Sequence, residues 1–401
     1  DYEYVVKYTA IQKAKTTFVD EKGNAIPGVA EITEQGGSET PLTKEAEVKA
    51  KIKELENKGY ELVSNTYPEG GKFDTDKDTD QEFKVTLKQK EVTVTPDQPK
   101  TPGTPVDPNN PDGPKYPAGL EEKDLNKTVT RTITYVYEDG TPVLNEDGTP
   151  KTVTQEAKFT REAKVNLVTG EVTYGDWTPA QDLAEVKSPV VKGYLADKAS
   201  VAVVNVTGDS EDIKEVVTYK PLGSWVPNIP GQPTNPIKYP NNPDDPTKPG
   251  TDKPVLPYVP GMTPKDGNGQ PLKPVDPQDP TKGYVIPDIP NDPTQSTPIN
   301  YVKDTQKAKT TFVDEKGNPI PGVDAITEEG DSDTPLTKEA EVKAKIKELE
   351  NKGYELVSNT YPEGGKFDTD KDTDQEFKVT LKQKEVTVTP DQPKTPGTPV
   401  D

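Results

Sequence analysis

Four aspartates stand at alternate positions, Asp74, Asp76, Asp78 and Asp80, and the same four recur as Asp368, Asp370, Asp372 and Asp374. Clustered carboxylate oxygens suit a hard cation such as calcium. The loop is not an EF-hand: Thr79 holds the sixth position, where that loop needs Gly, and Val85 stands where its bidentate Glu belongs. A calcium loop and a solvated acidic turn ahead of a strand both stay open, and no other cofactor is required. Tyr174, Trp177 and Tyr194 are the candidates for stacking on sugar rings, set against the alternative that they fill the core of a small sheet domain. Trp225 sits in a proline-rich joint and is expected to anchor that joint to the domain before it.

The residue types that are missing narrow the chemistry further. With no His and no Cys among 401 residues, there is no Ser-His-Asp triad, no thiolate nucleophile, no Cys/His zinc site and no disulfide. A net charge of -21, from 49 basic and 70 acidic residues, repels phosphate backbones and anionic membranes. Paired carboxylates could serve a glycosidase, but that chemistry needs two carboxyls across a shaped cleft, and modules of this size offer little room for one. A Lys–Asn isopeptide crosslink is remote, because the repeated segment carries few Asn (Asn24, Asn57, Asn65) and none in its last strand. The chain is therefore not expected to be an enzyme. Absent Cys fits a cytosolic protein or an extracellular one from a lineage without disulfides. No apolar run approaches the roughly 20 residues of a membrane span.

The elements that would position these groups fall in three islands. Gln12–Asp107 recurs as Gln306–Asp401, with six differences, all between Asn24 and Thr40. Near-identity points to a role in which copy number matters, as length or avidity. Prolines concentrate in 96–119, 221–300 and 390–401, and in the first stretch they fall at every third residue from Pro96 to Pro117. Three residues per turn is the polyproline II period, so these read as extended semi-rigid spacers. At about 3.1 Å per residue, 96–119 would hold its neighbours on the order of 70 Å apart. The expected domains are 1–95, 120–220 and 301–389, joined by linkers at 96–119 and 221–300, with 390–401 starting another. Asp1 opens straight into strand-like sequence without a leader, and Asp401 lies inside a proline run, so an excised piece of a longer protein is expected.

Within the repeated island Ala14, Thr16 and Phe18 alternate with Lys15, Thr17 and Val19. A helix follows, with Thr43 as N-cap, Glu45 and Glu47 in its first turn, an apolar stripe at Val48, Ile52 and Leu55, and Gly59 past its end. Tyr60, Leu62 and Val63 begin another extended run. Phe83, Val85 and Leu87 point inward from the last strand. The order strand–strand–helix–strand–strand suits a β-grasp (ubiquitin-like) module. The middle island reads as strands, with Val129, Arg131, Ile133, Tyr135 and Tyr137 on one face, and a short helix around Ala180–Val186. The fold class is thus α+β and mostly-β: small modules on extended linkers, monomeric and elongated.

Gly59-Tyr60-Glu61-Leu62-Val63-Ser64, followed by Phe73-Asp74-Thr75-Asp76 and Thr79-Asp80-Gln81, resembles the mucus-binding (Mub, MucBP) repeats of lactobacillus surface proteins. Lys127–Ile133 with Tyr135–Gly140, and Gly170–Ala180, are similar to the second domain of those repeats. Pro271–Pro277, Lys282–Tyr284 and Pro298–Val302 match their proline-rich joints. The resemblance implies β-grasp-like domains in an extracellular, wall-anchored adhesin. It implies mucin glycoproteins as partners through their glycans, and for some members immunoglobulins. A passive stalk that projects another binding domain is the main alternative.

Overall fold

The computed structural model describes Glu3, Tyr4, Tyr8 and residues 10–401, so the strand-like start at Asp1 lies outside the described residues. These divide into two compact units. One comprises 1–135, 142–187 and 200–216, and the other 136–141, 188–199 and 217–401.

The first unit opens with β1 (Ile11–Val19), β2 (Ile32–Gly37), α1 (Glu45–Asn57), β3 (Tyr60–Asn65) and β4 (Gln81–Gln89). Their sheet order is β2-β1-β4-β3, with β1 and β4 parallel. The expected stripe Val48, Ile52 and Leu55 packs against Phe18, Ile32, Val85 and Leu87. Gly59 closes the helix at φ 104, where a side chain would be strained. The cap differs from expectation. Lys44 is the N-cap residue and makes no side-chain cap bond. The buried Glu34 carboxylate instead accepts from the Thr43 amide at 2.7 Å and from the Tyr67 hydroxyl at 2.9 Å, while the Lys44 amide donates to the Tyr67 oxygen at 3.1 Å. A long-range carboxylate has replaced the local cap.

The next strand, β5 (Glu91–Val94), leaves the first sheet. The proline stretch after it is not an extended spacer. The amide of Gly103 donates to the carbonyl of Tyr116 and that of Tyr116 to Thr104, Val106 donates to Pro114, and Lys100 to Leu120. The chain doubles back on itself. Proline at every third residue leaves two amides in three free to donate, enough for a hairpin once Tyr116 and Leu120 supply apolar anchors. Then come α2 (Glu122–Leu125), β6 (Asn126–Tyr137), β7 (Thr152–Thr160), β8 (Ala163–Asn166), β9 (Val172–Tyr174), β10 (Gln181–Leu183), β11 (Val186–Lys187), β12 (Tyr194–Ala196), β13 (Ser200–Val201), β14 (Val204–Val206) and β15 (Ile213–Pro221). The helix expected around 180–186 is two short strands, because Gln181–Leu183 pairs with Val204–Val206. β5, β8 and β9 form one sheet. Its core joins Val94 to Leu120, Leu125, Ala163 and Val165. Arg131 is buried, with Nε donating to Gln155 and the two terminal nitrogens to the carbonyls of Ala202 and Ala184.

In the second unit, residues 221–300 are a folded body rather than a linker. They contain β16 (Ser224–Asn228), β17 (Ile237–Lys238), β18 (Val255–Leu256), β19 (Met262–Lys265) and β20 (Tyr284–Val285), and enter β21 (Thr297–Lys303). One sheet has the order β17-β16-β21-β19. Trp225 is its centre, packed with Leu195, Leu222, Tyr239, Ile286 and Ile299, and its indole N–H donates to the Pro287 carbonyl at 2.9 Å. It anchors the joint to itself as well as to Leu195. Tyrosine hydroxyls reach backbone carbonyls across this body: Tyr301 donates to Pro257 at 2.7 Å and Tyr239 to Gln295 at 2.8 Å. The second copy follows as β22 (Thr305–Val313), β23 (Ile326–Asp331), α3 (Glu339–Asn351), β24 (Tyr354–Asn359) and β25 (Gln375–Gln383), with the same sheet order and the same parallel central pair.

Candidate functional site

The end of β7 and the turn after β9 bring Arg161, Tyr174 and Trp177 together. The Arg161 guanidinium lies 3.7 Å from the Tyr174 ring centroid and 4.3 Å from that of Trp177. A cation over two aromatic faces is held by their quadrupoles. Arg161 Nε donates to the Asp124 carbonyl at 2.8 Å and the Tyr174 hydroxyl to the Gly119 carbonyl at 2.8 Å, which fixes both side chains. The indole of Trp177 rests against Gly208, where an added Cβ would lie 2.2 Å from a ring atom. Two of the three expected sugar-stacking aromatics therefore meet, but their rings already carry partners. Arg161 occupies a face of Tyr174, and Arg161 and Gly208 both lie against Trp177. What remains open is a groove of about 420 Å³ between Arg161, Tyr174, Asp176, Trp177, Thr207 and Asp209. Tyr174 is 38% exposed there. Tyr194 belongs to the other unit, half-buried against Tyr137 with ring centroids 4.6 Å apart. Arg161 carried no motif and was missed. The signal available was the rarity of arginine: Arg131 and Arg161 are the two in the chain, and Arg161 stands thirteen and sixteen positions ahead of the two aromatics.

The acidic ladders do not converge. The Asp74 and Asp76 carboxylates accept from the amides of Asp76 and Asp78, two residues on, at 3.2 and 2.9 Å. Asp368 and Asp370 do the same for Asp370 and Asp372. One oxygen of each of these four carboxylates is thus engaged in its own turn. Among the described residues no group of three or more acidic side chains is placed to hold a metal ion. Asp80 and Asp374 are exposed.

Other aspartates build a recurring turn. Asp139, Asp147, Asp245, Asp279 and Asp292 each accept from the side-chain hydroxyl and the backbone amide of the threonine two residues later. The threonine hydroxyl bond, above all, holds these carboxyls below the usual aspartate range.

A mucin binding domain family matches residues 12–89 and 295–383, and a Muc B2-like domain matches 120–223. The chain belongs to the mucus-binding (Mub/MucBP) repeat family. It is 25% identical to the crystal structure of Mub-RV over 52% of this chain and 98% of that one, with a TM-score of 0.38. The type 2 repeat of the mucus binding protein MUB from Lactobacillus reuteri is 26% identical, over 52% of this chain and 99% of that one, with a TM-score of 0.31. The mucin-binding domain of Spr1345 from Streptococcus pneumoniae is 34% identical, over 24% and 92%, with a TM-score of 0.21. No curated protein matches the chain. The fold is mostly β with few helices. Among the described residues no helix is long and apolar enough to cross a membrane.

Proposed function

We propose that this chain is the repeat region of a wall-anchored bacterial surface adhesin that binds host mucin glycoproteins without catalysis. Its membership in the mucus-binding repeat family carries the reading. The two near-identical copies support multivalence, in which weak contacts multiply. We read their four-stranded order, with a parallel central pair and one packed helix, as a β-grasp module. The groove beside Arg161 and Tyr174 is the proposed sugar contact. It offers a positive point in an acidic surface, suited to the carboxylate or sulfate of an acidic glycan, and an exposed part of the Tyr174 ring.

The test is binding of the full chain, and of the chain with Arg161→Ala, to immobilised mucin and to immobilised immunoglobulin. Mucin binding that falls at least severalfold with Arg161→Ala supports the adhesin and the groove. Binding to immunoglobulin alone, or to neither surface, replaces the reading with an immunoglobulin module or a passive stalk. Because both surfaces are negative, affinity for mucin is expected to rise from pH 7 toward about 4.5 as carboxylates protonate. The five Asp-x-Thr turns stay charged in that window, so the relief comes from the other acids. Binding unchanged across it would count against an electrostatic barrier.

A further inference from the structure

Gly208 lies in the turn between β14 and β15, and its backbone does not call for glycine. Its φ falls outside the left-handed region that a side chain resists. What calls for glycine is the indole of Trp177. A Cβ on Gly208 would stand 2.2 Å from the indole Cγ and 2.5 Å from Cδ1 and Cδ2, where ordinary contact begins at 3.4 Å. Alanine at this position would therefore force turn and ring apart by more than 1 Å, the gap between 2.2 and 3.4 Å.

Neither partner has slack to absorb that shift. Trp177 packs against the core that holds Phe159, Leu183 and Val206. The Arg161 guanidinium lies 4.3 Å from its ring centroid. The turn is closed by its own bonds. The Thr207 amide donates to Ser210 Oγ at 2.9 Å, the Ser210 amide to the Thr207 carbonyl at 3.0 Å, and the Asp209 amide to Thr207 Oγ1 at 3.2 Å. The ring can move only at the expense of its contact with Arg161.

The guanidinium held there is committed at one nitrogen. Nε donates to the Asp124 carbonyl, while among the described residues Arg161 has no ion-pair partner, although Asp176 and Asp209 line the same groove. Its terminal nitrogens are left for a ligand.

We propose that Gly208 is a positioning residue of this groove: it admits the Trp177 indole against the turn, and the ring in turn fixes the Arg161 guanidinium for an anionic group of the ligand. The inference rests on the reading of the groove as the sugar contact. An arginine ordered before binding spares the ligand the cost of ordering it, and loss of that order should weaken affinity roughly threefold to tenfold.

The test compares the full chain with its Gly208→Ala variant by two measurements. Acrylamide quenching reads Trp177, because the other tryptophan, Trp225, is fully buried; quenching should rise at least twofold in Gly208→Ala. Binding to immobilised mucin should fall roughly threefold to tenfold. The same substitution beside Trp177→Ala should change binding by less than twofold, since no ring is left to displace. A glycine that served only to fold the turn would weaken binding equally in both backgrounds. Amide protection of β10 and β14 controls for folding, and should be no lower with both substitutions than with Trp177→Ala alone. Unchanged quenching, mucin binding kept by Gly208→Ala where Arg161→Ala loses it, or a loss that persists beside Trp177→Ala each overturns the inference and leaves the reading of the groove standing. Mucin binding untouched by Arg161→Ala removes that reading, and the role of Gly208 with it.

Discussion

Val94 and Val388 share their flanking sequence and differ in surroundings, so substituting each by alanine isolates the contribution of docking. Val94 is 2% exposed among Leu120, Leu125, Ala163 and Val165, whereas Val388 is 53% exposed. Truncation to alanine removes two buried carbons. At about 0.8 kcal/mol each the transfer loss is about 1.6 kcal/mol. The cavity left behind raises the cost of Val94→Ala to about 2 kcal/mol. At 1.4 kcal/mol per tenfold, the equilibrium for opening β5 from β8 should rise roughly 30-fold. Val388→Ala, on an exposed residue, should stay within about 0.5 kcal/mol of the parent.

A single unfolding free energy is not defined for a chain of several modules. The assay is therefore native-state hydrogen exchange at β5 and β8, read against the β1–β4 sheet as an internal reference. Acceleration of about 30-fold at both strands for Val94→Ala, with no change for Val388→Ala, is the expected pattern. Equal effects of the two substitutions would refute the reasoning, whether both are large or both negligible. Either result would mean that β5 does not complete the core of the middle module.

Glu34→Ala should destabilise the first module by about 2–3 kcal/mol, because it strips the acceptor from the Thr43 amide and the Tyr67 hydroxyl in a buried site. Exchange of the α1 amides measures this, and an effect below 0.5 kcal/mol would deny Glu34 its role at the helix start. Thr16→Val and Thr310→Val should each stabilise by about 1 kcal/mol, since both hydroxyls are buried with no partner and valine keeps the shape; faster hydrogen exchange at the amides of β1 or β22 would contradict this. Burial, then the bond to Glu34, pushes the Tyr67 hydroxyl up to about 12, raises Tyr361 in the same way through Glu328, and burial takes Tyr301 to about 12. These folded values lie above the unfolded value of about 10, so the stabilisation is fully present below pH 10 and is lost as pH rises toward 12. Ultraviolet titration should find these phenols neutral at pH 11 until the modules unfold, and ordinary ionisation at pH 10 would refute it.

The parts of the fold legible in the sequence were those held by local pattern. The stripe Val48, Ile52 and Leu55, the alternation in β1 and β4, and the inward face of β6 all follow from periodicity over ten or so residues. The parts that were not legible depend on partners far along the chain. Glu34 displaces Thr43 as the cap from nine residues away. Gln181–Leu183 turns from helix to strand because Val204–Val206 is there to pair with it. The core at Trp225 draws on Tyr239, Leu256, Tyr284, Ile299 and Tyr301, apolar residues too widely spaced among prolines to form any local pattern. Of the candidate site residues, Trp177 stands out in the sequence as one of two tryptophans, with Tyr174 three residues before it. Arg161, which binds them together, stands out only as one of two arginines, and its pairing with rings thirteen and sixteen residues on is set by the fold.

The proline period was read as extension because polyproline II is the conformation that proline favours in isolation. Folding back needs two further things, a supply of amides and a reason to spend conformational entropy. The period supplies the first, since two residues in three still donate. Hairpin bonds such as Gly103 to Tyr116 use them, while the proline carbonyls accept, as Pro114 does from Val106. The reason is apolar burial: Leu120 is fully buried in the core with Val94 and Val165, and Tyr116 is partly buried against that core. Proline lowers the cost of ordering because its φ is already fixed in the unfolded chain. It also denies pairing to the outer edge, so a folded-back strand cannot recruit a stray neighbour. Proline at every third residue is thus compatible with a segment that docks its own modules, and the aromatic and leucine anchors decide between docking and extension.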